Sequence, residues 1–130
     1  MAASHTASVR VRYAETDQMG VVYHSNYFVW FEVGRCELLR ALGWSYRELE
    51  AGGVSLPVIS ASCDYHRSGH YDDAIDIHAT GTVLSAVRVQ FDYRVQRGDT
   101  VLATGRTVHA ALNTEGRPCR LPQRVRDLLS

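Results

Sequence analysis

The sequence predicts an α+β fold in which one antiparallel sheet lays its apolar face on a single long helix. Two observations carry this. From about residue 25 to Gly43 the apolar residues recur at helical spacing, and from about residue 58 onward they alternate with polar ones at the two-residue period of strands. One strand, a long helix, a short helix and then four or so antiparallel strands is an order that buries the helix stripe most simply on one sheet face. The 130 residues, 45% hydrophobic and 22% charged, are the size of one domain with a core of its own.

The elements follow in order. Residues 1–7 are small and polar and are expected to be disordered. Val9, Val11 and Tyr13 alternate with Arg10 and Arg12, a strand with one wet face. Tyr27, Phe31, Gly34, Leu38 and Leu42, with Trp30 beside them, form the stripe of an amphipathic helix of about 17 residues. Ser25 or Asn26 is its expected cap and Gly43 its end. Gly34 costs about 1 kcal/mol of helix propensity there, which implies a close approach of helix to sheet. Glu32, Arg35, Glu37 and Arg40 read as a solvated face.

Ser45, with Glu48 three residues on, starts a short helix that Gly52-Gly53 closes. Ile59, Ala61, Cys63 and Tyr65 then share one strand face, and Ser60, Ser62, Asp64 and His66 the other. Residues 73–84 read as a strand, and 87–95 alternate most clearly of all. "RGDT" marks a hairpin turn and 100–112 returns. Pro122 opens a short terminal helix.

Composition excludes several functions. The net charge is zero, so no general nucleic-acid surface is expected. All 14 basic residues are arginine, which rules out a lysine Schiff base or a Walker lysine. Cys36, Cys63 and Cys119 show no metal spacing and read as free thiols. The start, "MAASHTASVRV", lacks an apolar signal core, and no apolar run approaches the ~20 residues of a membrane span. A cytoplasmic protein is expected.

Hydrolase devices are sparse. There is no G-x-S-x-G elbow and no Gly-rich phosphate loop. Strand parity separates Cys63 from His66. His66 and His70 lack a third ligand at a recognisable spacing, so no metal is expected. His78 and His109 carry no functional signal. Asp17 remains. It is either a turn aspartate capping local N–H groups or a catalytic carboxylate. The second reading gains from its place after a strand end, from the "QMG" bend, and from the helix N-terminus near residue 25, with its free N–H groups and positive dipole end. Such a pair suits acyl chemistry: the N–H groups hold a developing oxyanion while the carboxylate attacks or activates water. With no strong general acid in sight, a thioester fits and an amide does not.

The stretch "YAETDQMGVVYHSNYFVWFEVGR" resembles the signature of hotdog-fold thioesterases of the 4-hydroxybenzoyl-CoA thioesterase type. Its T-D-x-x-G-V-V-Y-H-x-N-Y form is similar to the Tol-Pal-associated bacterial acyl-CoA thioesterase branch, and "LPVISASCDY" and "YDDAIDI" agree. The resemblance covers roughly residues 8–125 and implies a hotdog fold, a curved sheet around one long helix. It implies hydrolysis of an acyl-CoA without a cofactor, in a homodimer that assembles into a homotetramer with active sites between subunits. The family's catalytic aspartate falls on Asp17 and its branch histidine on His24, with the polarising N–H at His24 or its neighbours. Tyr23, Asn26 and Tyr27 fall beside the substrate, and Ser55, Leu56 and Pro57 of the partner subunit are expected to line the acyl pocket. Where the hydroxybenzoyl branch has a tyrosine this chain has His24, which argues against that substrate.

Glu15 is expected to pair with an arginine, and Arg117, Arg120, Arg124 and Arg126 are the charge cluster for CoA phosphates. Three other readings stand beside this one. They are a thioesterase for carrier-protein-bound acyl chains, a hotdog hydratase whose D-x-N-P-x-H pattern is missing here, and a non-catalytic acyl-ligand-binding protein. Relatives of the carrier-protein type tend to carry asparagine where Asp17 stands.

Overall fold

A computed structural model describes residues 2–129. Five strands form one antiparallel sheet in the order β1-β3-β4-β5-β2: β1 Ala3–Arg10, β2 Val58–Tyr65, β3 Ala74–Val83, β4 Arg88–Arg97 and β5 Thr100–Ala110. Between β1 and β2 the chain makes a 3-10 turn at Tyr13–Glu15, then α1 at Asn26–Ala41 and α2 at Tyr46–Ala51, and so crosses from one sheet edge to the other; α3 is Gln123–Leu129. Among the described residues no helix is long and apolar enough to cross a membrane.

The expectation of a disordered start is corrected. Residues 3–10 pair with β3 from Ala3↔Gly81 to Arg10↔Ala74. Small polar residues carry little hydrophobic signal, but here each finds a cross-strand partner: Ser4 with Thr80 at 2.9 Å, Thr6 with His78 at 2.6 Å, and Ser8 donating to Asp76 at 2.7 Å. Met1 lies outside the described residues. The strand also stops before Tyr13, which sits in the 3-10 turn with its ring exposed.

Helix α1 runs 16 residues and buries Tyr27, Trp30, Phe31, Gly34, Leu38 and Leu39 on the sheet; each full-size side chain among them contributes about 1.5–3 kcal/mol. Phe31 stacks flat on Tyr93 at 4.3 Å. Gly34 is where the helix touches down, since a Cβ there would come 2.8 Å from Ile77 Cγ2. At the C-terminus Gly43 takes φ +87, its N–H donates to Arg40 O at 2.9 Å, and Trp44 N–H donates to Leu39 O at 2.9 Å, the two bonds of a Schellman cap. The N-terminus differs from expectation. Ser25 makes no side-chain capping bond because its backbone is already helical, at φ −68 and ψ −21. Arg35 also leaves the solvated face: it is half-buried, with Nη1 3.5 Å from the Tyr93 hydroxyl.

That contact opens a polar chain inside the core. Tyr93 Oη meets Thr107 Oγ1 at 2.6 Å, Thr107 Oγ1 meets His109 Nε2 at 2.9 Å, and His109 Nδ1 lies 2.8 Å from Leu56 O. A carbonyl can only accept, so Nδ1 carries the proton and every earlier donor points the same way, from Arg35 to Leu56. Burial pushes the His109 imidazole down to about 4, and the neutral ring is the form this chain requires.

Candidate active site

The site is built on the connection from β1 into α1. Asp17 N–H donates to Val21 O at 2.9 Å and Gly20 N–H to Asp17 O at 3.0 Å, with Gly20 at φ +80, so residues 17–21 close a tight turn that only glycine enters without strain. Thr16 bridges to Val22 and Val21 to His70. The turn hangs the half-buried Asp17 side chain over a cleft of about 280 Å³. Its Oδ1 accepts Met19 N–H at 2.9 Å, so the turn-forming role and the cleft-lining position coexist.

The cleft is lined by Asp17, Val22, His24, Tyr27, Tyr65 and Arg67, among others. It therefore joins Asp17 and His24, as expected from the sequence, and adds β2 and the segment after it. Tyr27 is buried at the cleft floor and packs edge-on against Trp30 and Tyr65; burial raises its hydroxyl above the ordinary tyrosine range. His24 packs on Tyr23 with ring centroids 4.3 Å apart. Tyr23 is half-exposed and outside the cleft lining. Asn26 also stays outside, because its amide donates to Glu15 O at 2.9 Å. Ser55, Leu56 and Pro57 of the same chain do not reach Asp17; Ser55 and Leu56 border other hollows.

The backbone entering α1 is partly unpaired. Tyr23 N–H goes to Glu15 O, Asn26 N–H to Tyr23 O, Tyr27 N–H to His24 O and Phe28 N–H to Ser25 O. Among the described residues neither His24 N–H nor Ser25 N–H has an acceptor, which leaves two donors at the positive end of a helix.

Glu15 explains how this entry is held. It is only 5% exposed. One carboxylate oxygen accepts Arg12 N–H at 2.8 Å, with the Arg12 guanidinium at 3.6 Å, and the other accepts Trp30 Nε1–H at 3.1 Å. The expected arginine pairing is present, and the bond to Trp30 ties the turn to α1 as well. The 3-10 turn also rotates Glu15 away from Asp17, so the two carboxylates do not share a face.

The opposite wall, residues 66–68, is braced from behind. His66 and Arg67 N–H donate to Leu102 O, and Arg97 donates to Ser68 O at 3.1 Å and to Asp73 Oδ2 at 2.8 Å. Desolvation would raise the Asp73 carboxyl, but Arg97 and His70 N–H outweigh it and hold it below the usual range. Tyr65, His66, Arg67 and Ser68 are the cleft residues that sequence reasoning did not place there. The strand alternation gave Tyr65 a face but could not say which helix end the strand would meet. None of the tail arginines lines the cleft; Arg124 donates to Gly43 O and covers Trp44, at the opposite end of α1.

Comparisons with known proteins agree with this architecture. The family model described as "Thioesterase-like superfamily" matches residues 11–129. Bacillus subtilis "Putative acyl-CoA thioesterase YneP" is 40% identical over 87 residues, covering 67% of this chain and 63% of that protein, so the match spans less than two thirds of that relative. The 1,4-dihydroxy-2-naphthoyl-CoA hydrolase of Synechococcus elongatus is 31% identical over 92% of this chain and 90% of its own. The crystal structure of a hypothetical protein from Aquifex aeolicus superposes with a TM-score of 0.92 at 32% identity, covering 97% of this chain and 99% of that one.

Proposed function

Because this chain belongs to the thioesterase-like superfamily, we propose that it hydrolyses acyl-CoA thioesters to a free carboxylic acid and CoA, as a thioester hydrolase of the hotdog fold. What supports the reading is the shared cleft: Asp17 and His24, whose N–H has no acceptor among the described residues, line one hollow. In the proposed reaction the thioester carbonyl lies toward the His24 N–H, and the developing oxyanion is held there by a preorganised donor. Asp17, with Oδ1 fixed by Met19 N–H, presents its other oxygen to attack the carbonyl carbon or to draw the proton from an attacking water. The C–S bond breaks, CoA leaves as a thiolate good enough to need no strong acid, and water supplies the second carboxylate oxygen of the product. No metal or cofactor enters this scheme.

Asp17→Asn is expected to lower turnover of acyl-CoA by about 10²–10⁴-fold with thermal unfolding unchanged. Near-normal thiol release by this variant sinks the role. The T-D-x-x-G-V-V-Y-H motif favours the Tol-Pal-associated branch over the hydroxybenzoyl branch, and a thiol-release screen across chain length and ring content tests that choice. Arg67, exposed on the cleft lining, replaces the tail arginines as the group for CoA phosphate.

The working assembly in this reading is a homodimer, paired into a homotetramer, in the cytoplasm. What supports a second copy is β2, an edge strand with Val58, Ile59 and Tyr65 exposed and an open backbone edge that invites pairing. A copy there also offers Ser55, Leu56 and Pro57 of the partner subunit as acyl-pocket lining. Light scattering that finds only monomer while full activity persists contradicts this part.

A further inference from the structure

We propose that Tyr65 is a positioning residue for the reaction: its hydroxyl fixes the His24–Ser25 peptide and so restrains the backbone at His24 that carries the oxyanion-binding N–H. This rests on the thioesterase reading above. The argument begins with the helix entry. In a regular α-helix the His24 carbonyl would accept from the residue four positions on. Here Phe28 N–H goes to Ser25 O and Tyr27 N–H goes to His24 O at 3.3 Å, the tighter bonding of a 3-10 start. No side chain caps this end, since Ser25 makes no capping bond and Asn26 turns to Glu15. The His24 oxygen is therefore held by one long backbone bond and has a lone pair to spare.

Tyr65 fills it. As the last residue of β2, 41 positions further along the chain, it donates Oη–H to His24 O at 3.2 Å. Its ring stands edge-on to the His24 ring at 6.4 Å and to Tyr27 at 5.3 Å, so the phenol approaches from a fixed direction. The preceding peptide is held separately, through Tyr23 O accepting Asn26 N–H at 2.9 Å. With a peptide anchored on each side of its Cα, His24 has little torsional freedom, and its own N–H, without an acceptor among the described residues, keeps its heading. Catalysis by a prealigned donor depends on that heading, because a donor that must reorient during reaction loses its advantage over water. Tyr65 need not touch the reacting atoms.

The test compares Tyr65→Phe and Tyr65→Leu with the wild type and with Asp17→Asn. The measurements are kcat and KM for an acyl-CoA, Kd for an S-alkyl-CoA thioether that lacks the carbonyl, and thermal unfolding. Deleting one oxyanion donor costs about 10²–10³ in kcat; loosening such a donor should cost less, about 10-fold. The expected result is that fall in kcat for both variants, with KM within about twofold and thioether binding unchanged, because only the carbonyl feels the donor. Wild-type kcat in Tyr65→Phe alongside inactive Asp17→Asn overturns the inference while leaving the thioesterase reading intact. So does a loss only in Tyr65→Leu, which would make the ring a packing surface, or an equal weakening of thioether binding, which would make it a substrate wall. Normal turnover in Asp17→Asn instead defeats the thioesterase mechanism itself, and the inference with it.

Discussion

Glu15 and Asp17 are two residues apart, yet one carboxylate is sealed under Trp30 and the other faces the cleft. The difference is the 3-10 turn at Tyr13–Glu15. The Glu15 carboxylate accepts Arg12 N–H and the Trp30 indole N–H and pairs with the Arg12 guanidinium, and its backbone oxygen accepts from Tyr23 N–H and the Asn26 amide. Removing that carboxylate leaves a buried indole N–H without an acceptor, at a cost of about 1–3 kcal/mol. Glu15→Ala is therefore expected to lower the urea midpoint and to reduce turnover, because the segment it holds carries Asp17. An unchanged midpoint would contradict this. In the proposed mechanism the useful group of His24 is the backbone N–H, which survives side-chain replacement. His24→Ala should reduce kcat far less than Asp17→Asn, and parity between the two in steady-state assays would move the chemistry onto the imidazole.

At the scale of elements, α1 and the sheet meet through two glycines. Gly34 on the helix faces Ile77 and Ala79, where an added Cβ would come 2.8 Å from Ile77 Cγ2 and that methyl would have to give way. Gly105 on β5 is tighter: a Cβ would fall 2.3 Å from Phe31 Cζ and 2.8 Å from the Ser62 backbone oxygen. Overpacking of this kind costs about 1–3 kcal/mol, occasionally more. Gly34→Ala recovers about 1 kcal/mol of helix propensity and Gly105→Ala recovers none. Chemical denaturation should rank Gly105→Ala as much the more damaging, at about 3 kcal/mol, with Gly34→Ala near 1 kcal/mol; the reverse ranking would mean that the helix does not rest on β5 through Phe31. The close approach at Gly34 was legible in the sequence, as a glycine on a buried stripe. Gly105 was not, because nothing local to β5 says that Phe31 will lie over it.

Across the whole molecule the buried chain from Arg35 to Leu56 ties the helix, β4, β5 and the 55–57 segment together, and it makes stability depend on pH. His109 falls from the ordinary 6.5 to about 4 on folding. Its neutral form is the folded one, so its contribution is complete above pH 6.5. As pH falls from about 6.5 to about 4 the unfolded chain takes up the proton first, and up to about 3 kcal/mol is lost. Asp73, held low by Arg97 and His70 N–H against desolvation, adds a further loss only at more acid pH, as it protonates. The thermal midpoint should thus decline between pH 6.5 and 4, and His109→Gln should flatten that interval; the same slope in both proteins would assign the loss to other groups.

The sequence alone determined what depends on neighbours along the chain. The helical stripe from Tyr27 to Leu38, the alternation of Val89, Phe91, Tyr93 and Val95, the Gly43 stop and the Gly20 bend all express local periodicity or local torsion, and all are written in nearby residues. The tertiary structure decided what depends on partners far apart in sequence. It turned the small polar residues 3–7 into a strand by supplying hydroxyl and imidazole partners on β3. It drew Arg35 inward to Tyr93, sent Arg124 of the tail to the far end of α1, and set Tyr65 of β2 on the His24 carbonyl. A hydrogen bond between residues 24 and 65 leaves no periodic trace in either segment, because its geometry exists only once the sheet order places β2 beside the start of α1.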